Sequence, residues 1–160
     1  MVTAFAEMLK CHAAPGRVAW IGLRPGRRGD VKTPGSAEVS LDGLAGDHAK
    51  AGKRAVTLIQ AEHLPVIAAL AGMDVVKPEQ LRRNLVISGI NLAALRKAAL
   101  RVGNAVLQVT GPCPPCSRME EVLGRGGYNA MRGHGGWYAE VLEPGRVVLG
   151  DSVTLLTDAE

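Results

Sequence analysis

Cys113-Pro114-Pro115-Cys116 places two thiols three residues apart. A pair at this spacing can close a disulfide, supply half of a tetrahedral zinc site, or present one thiolate as nucleophile or soft metal ligand. Zinc would need two further ligands from Cys11, His48, His63 and His134, and these form no second pair at metal-ligand spacing. A redox pair of the thioredoxin kind belongs in a βαβ unit, which the pattern does not show. The run Ser117–Leu123 predicts a helix ended by Gly124. Cys116 then falls at its N-terminus, where free backbone N–H groups and the helix dipole favour a thiolate, and Arg118 adds positive potential. Cys113 is a resolving thiol, a structural partner, or a small buried hydrophobe. Thiolate softness suits copper(I), zinc, iron–sulfur and, by the same argument, molybdenum.

Three other constellations carry chemistry. Residues 124–136 hold six glycines with Asn129, Arg132 and His134 among them. Exposed backbone N–H groups there can cradle an anion, unless the glycines only serve turns. Leu81-Arg82-Arg83-Asn84 precedes an apolar run and offers guanidinium forks for phosphate or carboxylate, or else a solvated charge pair. Gly46-Asp47-His48 can orient an imidazole or simply make a turn, and His63 beside Glu62 reads as a packed or solvated side chain.

The elements that must position these residues are short. Strands are predicted at 17–23, 38–41, 55–59, 84–87, 99–102, 105–110, 137–142, 147–149 and 152–156. Helices are predicted at 61–71, 78–81, 117–123 and 128–132, with Pro65 tolerated near a first turn. Glu143-Pro144-Gly145-Arg146 predicts a hairpin between the two strands it separates. Residues 1–16 form a leader, helical or mobile, and 17–157 a single domain. Gly and Pro, 20 and 9 residues, make up about 18% of the chain against about 12% in average usage. That disfavours a helix bundle. Many short strands with few helices imply a mainly β fold, a closed or partly closed β-barrel with a few short helices at the rim.

The chain has 160 residues, enough for one core without staples, with a net charge of +4. A mildly basic balance suits an anionic ligand. Five aromatic residues are too few for a base-stacking platform, so nucleic acid is disfavoured. The apolar run 66–71 is far shorter than the ~18 residues of a membrane span. No secretory signal is visible, and three cysteines fit a reducing, cytoplasmic setting better than a disulfide framework.

In order along the chain, Gly43-Leu-Ala-Gly-Asp47-His48, Ala55-Val-Thr-Leu-Ile-Gln60, Leu81-Arg-Arg-Asn-Leu-Val86, Val109-Thr-Gly-Pro-Cys113-Pro-Pro-Cys116-Ser-Arg-Met-Glu120, Tyr128-Asn-Ala-Met-Arg-Gly-His-Gly135 and Val148-Leu-Gly-Asp151 resemble the MOSC domain, the C-terminal domain of molybdenum cofactor sulfurases. The resemblance spans about residues 18–156 and implies a MOSC-like β-barrel. It maps the family's hallmark cysteine onto Cys116, which would ligate molybdenum of the pterin-based cofactor (molybdopterin). Arg82 and Asn84 match an Arg-x-Asn pattern on the pterin-phosphate side. Gln60 and the Cys113–Cys116 loop would line the same pocket. Arg118, Asn129, Arg132 and His134 are added as cofactor contacts from their chemistry. The β-barrel domain preceding MOSC in eukaryotic reductases is absent here. So is the pyridoxal-phosphate-dependent sulfurase domain behind the family's association with that cofactor. A dimer mate or open solvent would then complete the pocket of a stand-alone, bacterial-type member.

Three functions follow as expectations. The first is a molybdenum-cofactor-dependent oxidoreductase that reduces N-hydroxylated (N–O) small molecules, with electrons from an external electron-donor protein. The second is a persulfide carrier loaded by a cysteine desulfurase, with Cys113 releasing the sulfur. The third is a non-catalytic zinc module.

Overall fold

The computed structural model describes residues 3–156. A short helix, α1 (Ala4–Leu9), is capped by the Thr3 hydroxyl accepting from the Ala6 N–H and buries no residue. The predicted leader is thus partly helical, and the first strand begins where it ends. Ten strands follow: β1 (Gly16–Ile21), β2 (Ser36–Ser40), β3 (Gly43–Leu44), β4 (Val56–Gln60), β5 (Leu85–Ser88), β6 (Ala99–Val102), β7 (Ala105–Pro112), β8 (Trp137–Glu143), β9 (Gly145–Val148) and β10 (Ser152–Leu155). Helices α2 (His63–Ala71), α3 (Pro78–Leu81), α4 (Arg118–Leu123) and α5 (Gly127–Met131) and a 3-10 turn at Leu92–Leu95 interrupt them.

Seven strands close a barrel in the order β1-β10-β6-β7-β8-β4-β5, with β5 back against β1. The mainly β expectation therefore holds. Alternation decides which side chains enter. Leu100 and Val102 on β6, and Leu107 and Val109 on β7, point into one core with Val18, Leu58, Ile87 and Val153. Closure leaves these barrel strands with no free edge.

Two connections differ from the sequence expectation. The Glu143–Arg146 turn is not a hairpin: β8 pairs with β7 and β4, whereas β9 leaves the barrel and pairs with β2. The second sheet runs β3-β2-β9. Gly145 makes this departure possible, since a Cβ there would lie 2.4 Å from the Asn104 carbonyl oxygen of the β6–β7 turn. Nor is βαβ geometry absent: β4 and β5 pair in parallel, joined across α2 and α3. A parallel pair needs such a crossover. Its signal was hidden because each helix is short and the two are separated by irregular chain.

The crossover builds a second core outside the barrel, with Ile59, Ile67, Leu81, Val86, Met119 and Met131 buried together. Every residue of β4 is consequently buried, one face toward the barrel and the other toward this helical layer. Pro65 is the third residue of α2, where no helical N–H is required. The glycine-rich stretch is more regular than expected, because α5 packs on α4. A Cβ on Gly127 would lie 2.6 Å from both the Leu123 Cβ and the Met119 carbonyl oxygen, so this glycine serves helix contact and not an anion.

Candidate functional site

The ordered frame of the site is a buried polar network between β1, the chain after β3, β4 and β5. Asn84 is 0% exposed and immediately precedes β5. Its Oδ1 accepts from the Thr57 N–H and hydroxyl and from Arg24 Nη2, while Nδ2 donates to the Gly22 carbonyl and Asp47 Oδ1. Asp47 also accepts from the Arg24 backbone N–H (2.7 Å), Nε (3.0 Å) and Nη2 (2.9 Å), and from the Ala49 N–H. Burial pushes the Asp47 carboxyl up, but the bonds and charge of Arg24 outweigh it and hold the group below the ordinary aspartate value.

Cys116 opens onto a cleft of about 180 Å³ beside this frame. Five arginines line the same cleft, Arg24, Arg27, Arg82, Arg83 and Arg118, together with His48. Arg82 adopts a left-handed backbone (φ 56°) at the end of α3, and its guanidinium donates to the Gly26 and Gly29 carbonyls. Burial, with Arg118 and Arg24 nearby, lowers its basicity below the ordinary guanidinium value. Arg118 donates to the Arg27 carbonyl. These two side chains latch the 24–31 loop over the cleft. A second cleft of about 270 Å³ lies on the other side of the same two guanidiniums. Arg83 is 8% exposed and donates Nε to the Gly135 carbonyl and Nη1 to the Leu81 carbonyl, but its buried Nη2 has no partner.

Helix α4 has six residues and starts at Arg118, with Ser117 as its N-cap. Cys116 immediately precedes the cap, and its carbonyl accepts from the Met119 N–H. Arginines gathered from three separate segments line the cleft beside it.

Cys113 lies elsewhere. It is 6% exposed and lines a cavity of about 440 Å³ with Gln60, His63, Arg132, His134 and Trp137. No residue lines both the cavity and the Cys116 cleft. The Cys113 N–H donates to the Gly136 carbonyl, and Gly136 (φ +91°) packs so tightly on β4 that a Cβ would lie 2.0 Å from the Leu58 carbonyl oxygen. The chain turns there and carries Cys113 inward, and the two following prolines let Cys116 emerge on another side. Gln60 thus lines one cavity with Cys113, Pro114 and Pro115, as expected, and only Cys116 of that loop lines the other space.

The predicted residues therefore separate into groups. Cys116, Arg82 and Arg118 come together. Cys113, Gln60, Arg132 and His134 come together elsewhere. Asn84 is within the frame, buried with its side-chain bonds directed at Thr57, Gly22, Arg24 and Asp47, so it positions Arg24 and Asp47. Asn129 accepts a long 3.4 Å bond from Arg132 and lines neither space. Arg83 and His48 stood in the Leu81–Asn84 and Gly46–His48 constellations without being carried over as cofactor contacts, and Arg24 and Arg27 were not singled out. All three thiols are unpaired. Among the described residues no group of three or more His, Cys, Asp or Glu side chains is placed to hold a metal ion.

A seven-strand barrel with a crossover helical layer, and a cysteine set among arginines, agrees with the sequence match: residues 45–154 match the MOSC domain, and the chain belongs to that family. Among solved structures, the YuaD protein from Bacillus subtilis is 18% identical, with a TM-score of 0.75 over 88% of this chain and 94% of its own. YiiM from Escherichia coli is 23% identical (TM-score 0.68; 88% of this chain, 70% of its own), and YiiM from Geobacillus stearothermophilus 18% (TM-score 0.72; 89% and 76%). At these identities the likeness is one of fold. No curated protein matches the chain as a relative. Among the described residues no helix is long and apolar enough to cross a membrane.

Proposed function

We propose that this MOSC protein holds a molybdenum-bearing pterin cofactor through the Cys116 thiolate and reduces small N-hydroxylated compounds. The observation that carries this reading is the exposed Cys116 thiol in a cleft lined by five arginines, one of them buried with an unpartnered Nη2. The donor set fits the group. A single soft sulfur suits molybdenum without a second protein ligand. Guanidinium forks suit a phosphate, which is the anionic end of such a cofactor.

When bound, the cofactor supplies the two-electron oxo chemistry that removes the oxygen of an N–O group. Conversion of an N-hydroxyl to an amine consumes two electrons and two protons and releases water. The described residues offer no flavin or iron–sulfur motif of their own, so an external electron-donor protein would supply the electrons. In this reading Cys116 anchors the metal, and the buried Arg83 guanidinium adds its positive charge to the cleft. Arg82 and Arg118, which line both clefts, would offer ligand oxygens the N–H groups that now bond loop carbonyls. Asp47 and Asn84 hold Arg24 at the cleft floor. A second copy of the chain would close any side of the pocket left open.

The test is elemental mass spectrometry of protein made in a host that produces molybdenum cofactor, beside Cys116→Ser. The reading expects molybdenum near one per chain and its loss in the variant, with circular dichroism unchanged. Absence of molybdenum from the parent, together with a sulfur adduct of about 32 Da on Cys116, would replace it with the persulfide carrier.

A further inference from the structure

The Cys113 cavity is a ligand-sized enclosure that the Cys116 reading leaves unused. Its volume of about 440 Å³ falls in the range of small-molecule sites, roughly 300–1,000 Å³. Its chemistry is one-sided. Arg96, Arg132, His63 and His134 line it, and no carboxylate does. Glu62, the nearest acid in sequence, spends Oε1 on Gln60 and Oε2 on the Gly89 N–H. Gln60 is also committed, donating to Glu62 and the Ile90 carbonyl and accepting from the Leu92 N–H, so it shapes the wall and does not bind.

Five features indicate what would fill the space. The His63 and His134 rings meet edge to face with centroids 5.1 Å apart. His134 Nδ1 is buried and has no hydrogen-bond partner. The Arg96 guanidinium lies 6.0 Å from the centre of the Trp137 ring, leaving its N–H edge for an acceptor. Arg132 is exposed at the mouth and makes only the long contact to Asn129. The flat faces of Trp137, Tyr128 and the prolines on either side of Cys113 form the apolar part of the wall.

We infer that this cavity binds a small planar anion, an aromatic or heteroaromatic carboxylate. The ring lies among the Trp137, Tyr128 and proline surfaces, the carboxylate meets Arg132 or Arg96, and a ring N–H or hydroxyl donates to His134 Nδ1. The site is independent of the Cys116 cleft. Two links join them: the Pro114-Pro115 segment, which lines the cavity and leads into Cys116, and Arg83, which lines the cleft and donates to the Gly135 carbonyl in the cavity wall.

Calorimetric titration with quinoline-3-carboxylate, and with quinoline-3-carboxamide as the neutral match, tests the inference. The carboxylate should bind at one site per chain and at least ten-fold tighter than the amide. Arg132→Gln, an exposed change that the fold tolerates, should weaken the carboxylate ten-fold or more, and Cys116→Ser should leave it within two-fold. No heat with the carboxylate, or equal binding of the amide, overturns the proposal. So does loss of binding in Cys116→Ser, which would place the ligand in the other cleft. Because Cys116→Ser carries the molybdenum test and Arg132→Gln carries this one, either reading can fail without the other.

Discussion

Cys113 and Cys116, separated by two prolines, face different spaces: the first is 6% exposed on a cavity with two histidines, the second is exposed in an arginine-lined cleft. The proline pair sets this divergence, since each fixes φ near −65° and neither can join a hydrogen-bonded turn as donor.

Thiol reactivity should report it directly. Under native conditions iodoacetamide should modify Cys116 and the exposed Cys11 first, with Cys113 protected until the protein unfolds. Peptide mass mapping over time checks this. Equal labelling of Cys113 and Cys116 would contradict the separation.

The Arg24–Asp47 pair is the second target. Both Asp47 oxygens are used, and its side chain is fully buried. Asp47→Asn leaves Arg24 uncompensated, and breaking a buried pair in this way costs about 3–5 kcal/mol. The folded-state value of Asp47 is depressed below 3.8, so its contribution is present above that pH and is lost as the pH falls through the lower folded value. Urea unfolding of parent and variant should therefore show a gap that is full at neutral pH and narrows in acid below 3.8. A gap that does not change with pH would refute the assignment.

His63 makes a complementary prediction. Burial first, then the neighbouring His134, lowers its basicity, and Glu62 only partly restores it. By proton NMR, His63 should titrate below 6.5 in the parent and move upward in His134→Gln. Because the folded value is depressed, its neutral form contributes stability above 6.5 that is lost as the pH falls toward the folded value.

Gly136 tests the joint that aims Cys113. Its φ of +91° disfavours any side chain, and a Cβ would strike the Leu58 carbonyl oxygen. Gly136→Ala should destabilise the fold by about 2 kcal/mol or more in thermal unfolding. Gly26→Ala, with nothing within 4 Å of the added Cβ, should cost far less and serves as the control.

Much of the architecture was legible because it rests on local rules. Alternation of apolar residues marked the strands, Gly124 marked the end of α4, and the six ordered segments marked the family. Two connections were not legible. Pro144-Gly145 specifies a turn, but its backbone does not say whether the next strand pairs with the last one or leaves for another sheet. Likewise the segment between β4 and β5 shows two short helices, and only their joint packing on β4 makes them a parallel crossover.

The site divides along the same line. The sequence by itself determined the functional groups: a thiol pair, arginines at 82–83, 118 and 132, and histidines at 48, 63 and 134. Residue type fixes softness, charge and donor geometry wherever the side chain lies. Only the tertiary structure decided their grouping. Closure of the barrel brings Arg24 and Arg82 from distant segments to Cys116 and its neighbour Arg118, buries Asn84 as the support of Arg24, and sends Cys113 to the histidines. Those proximities arise from strand order and from one tight turn at Gly136, long-range relationships that no local spacing encodes.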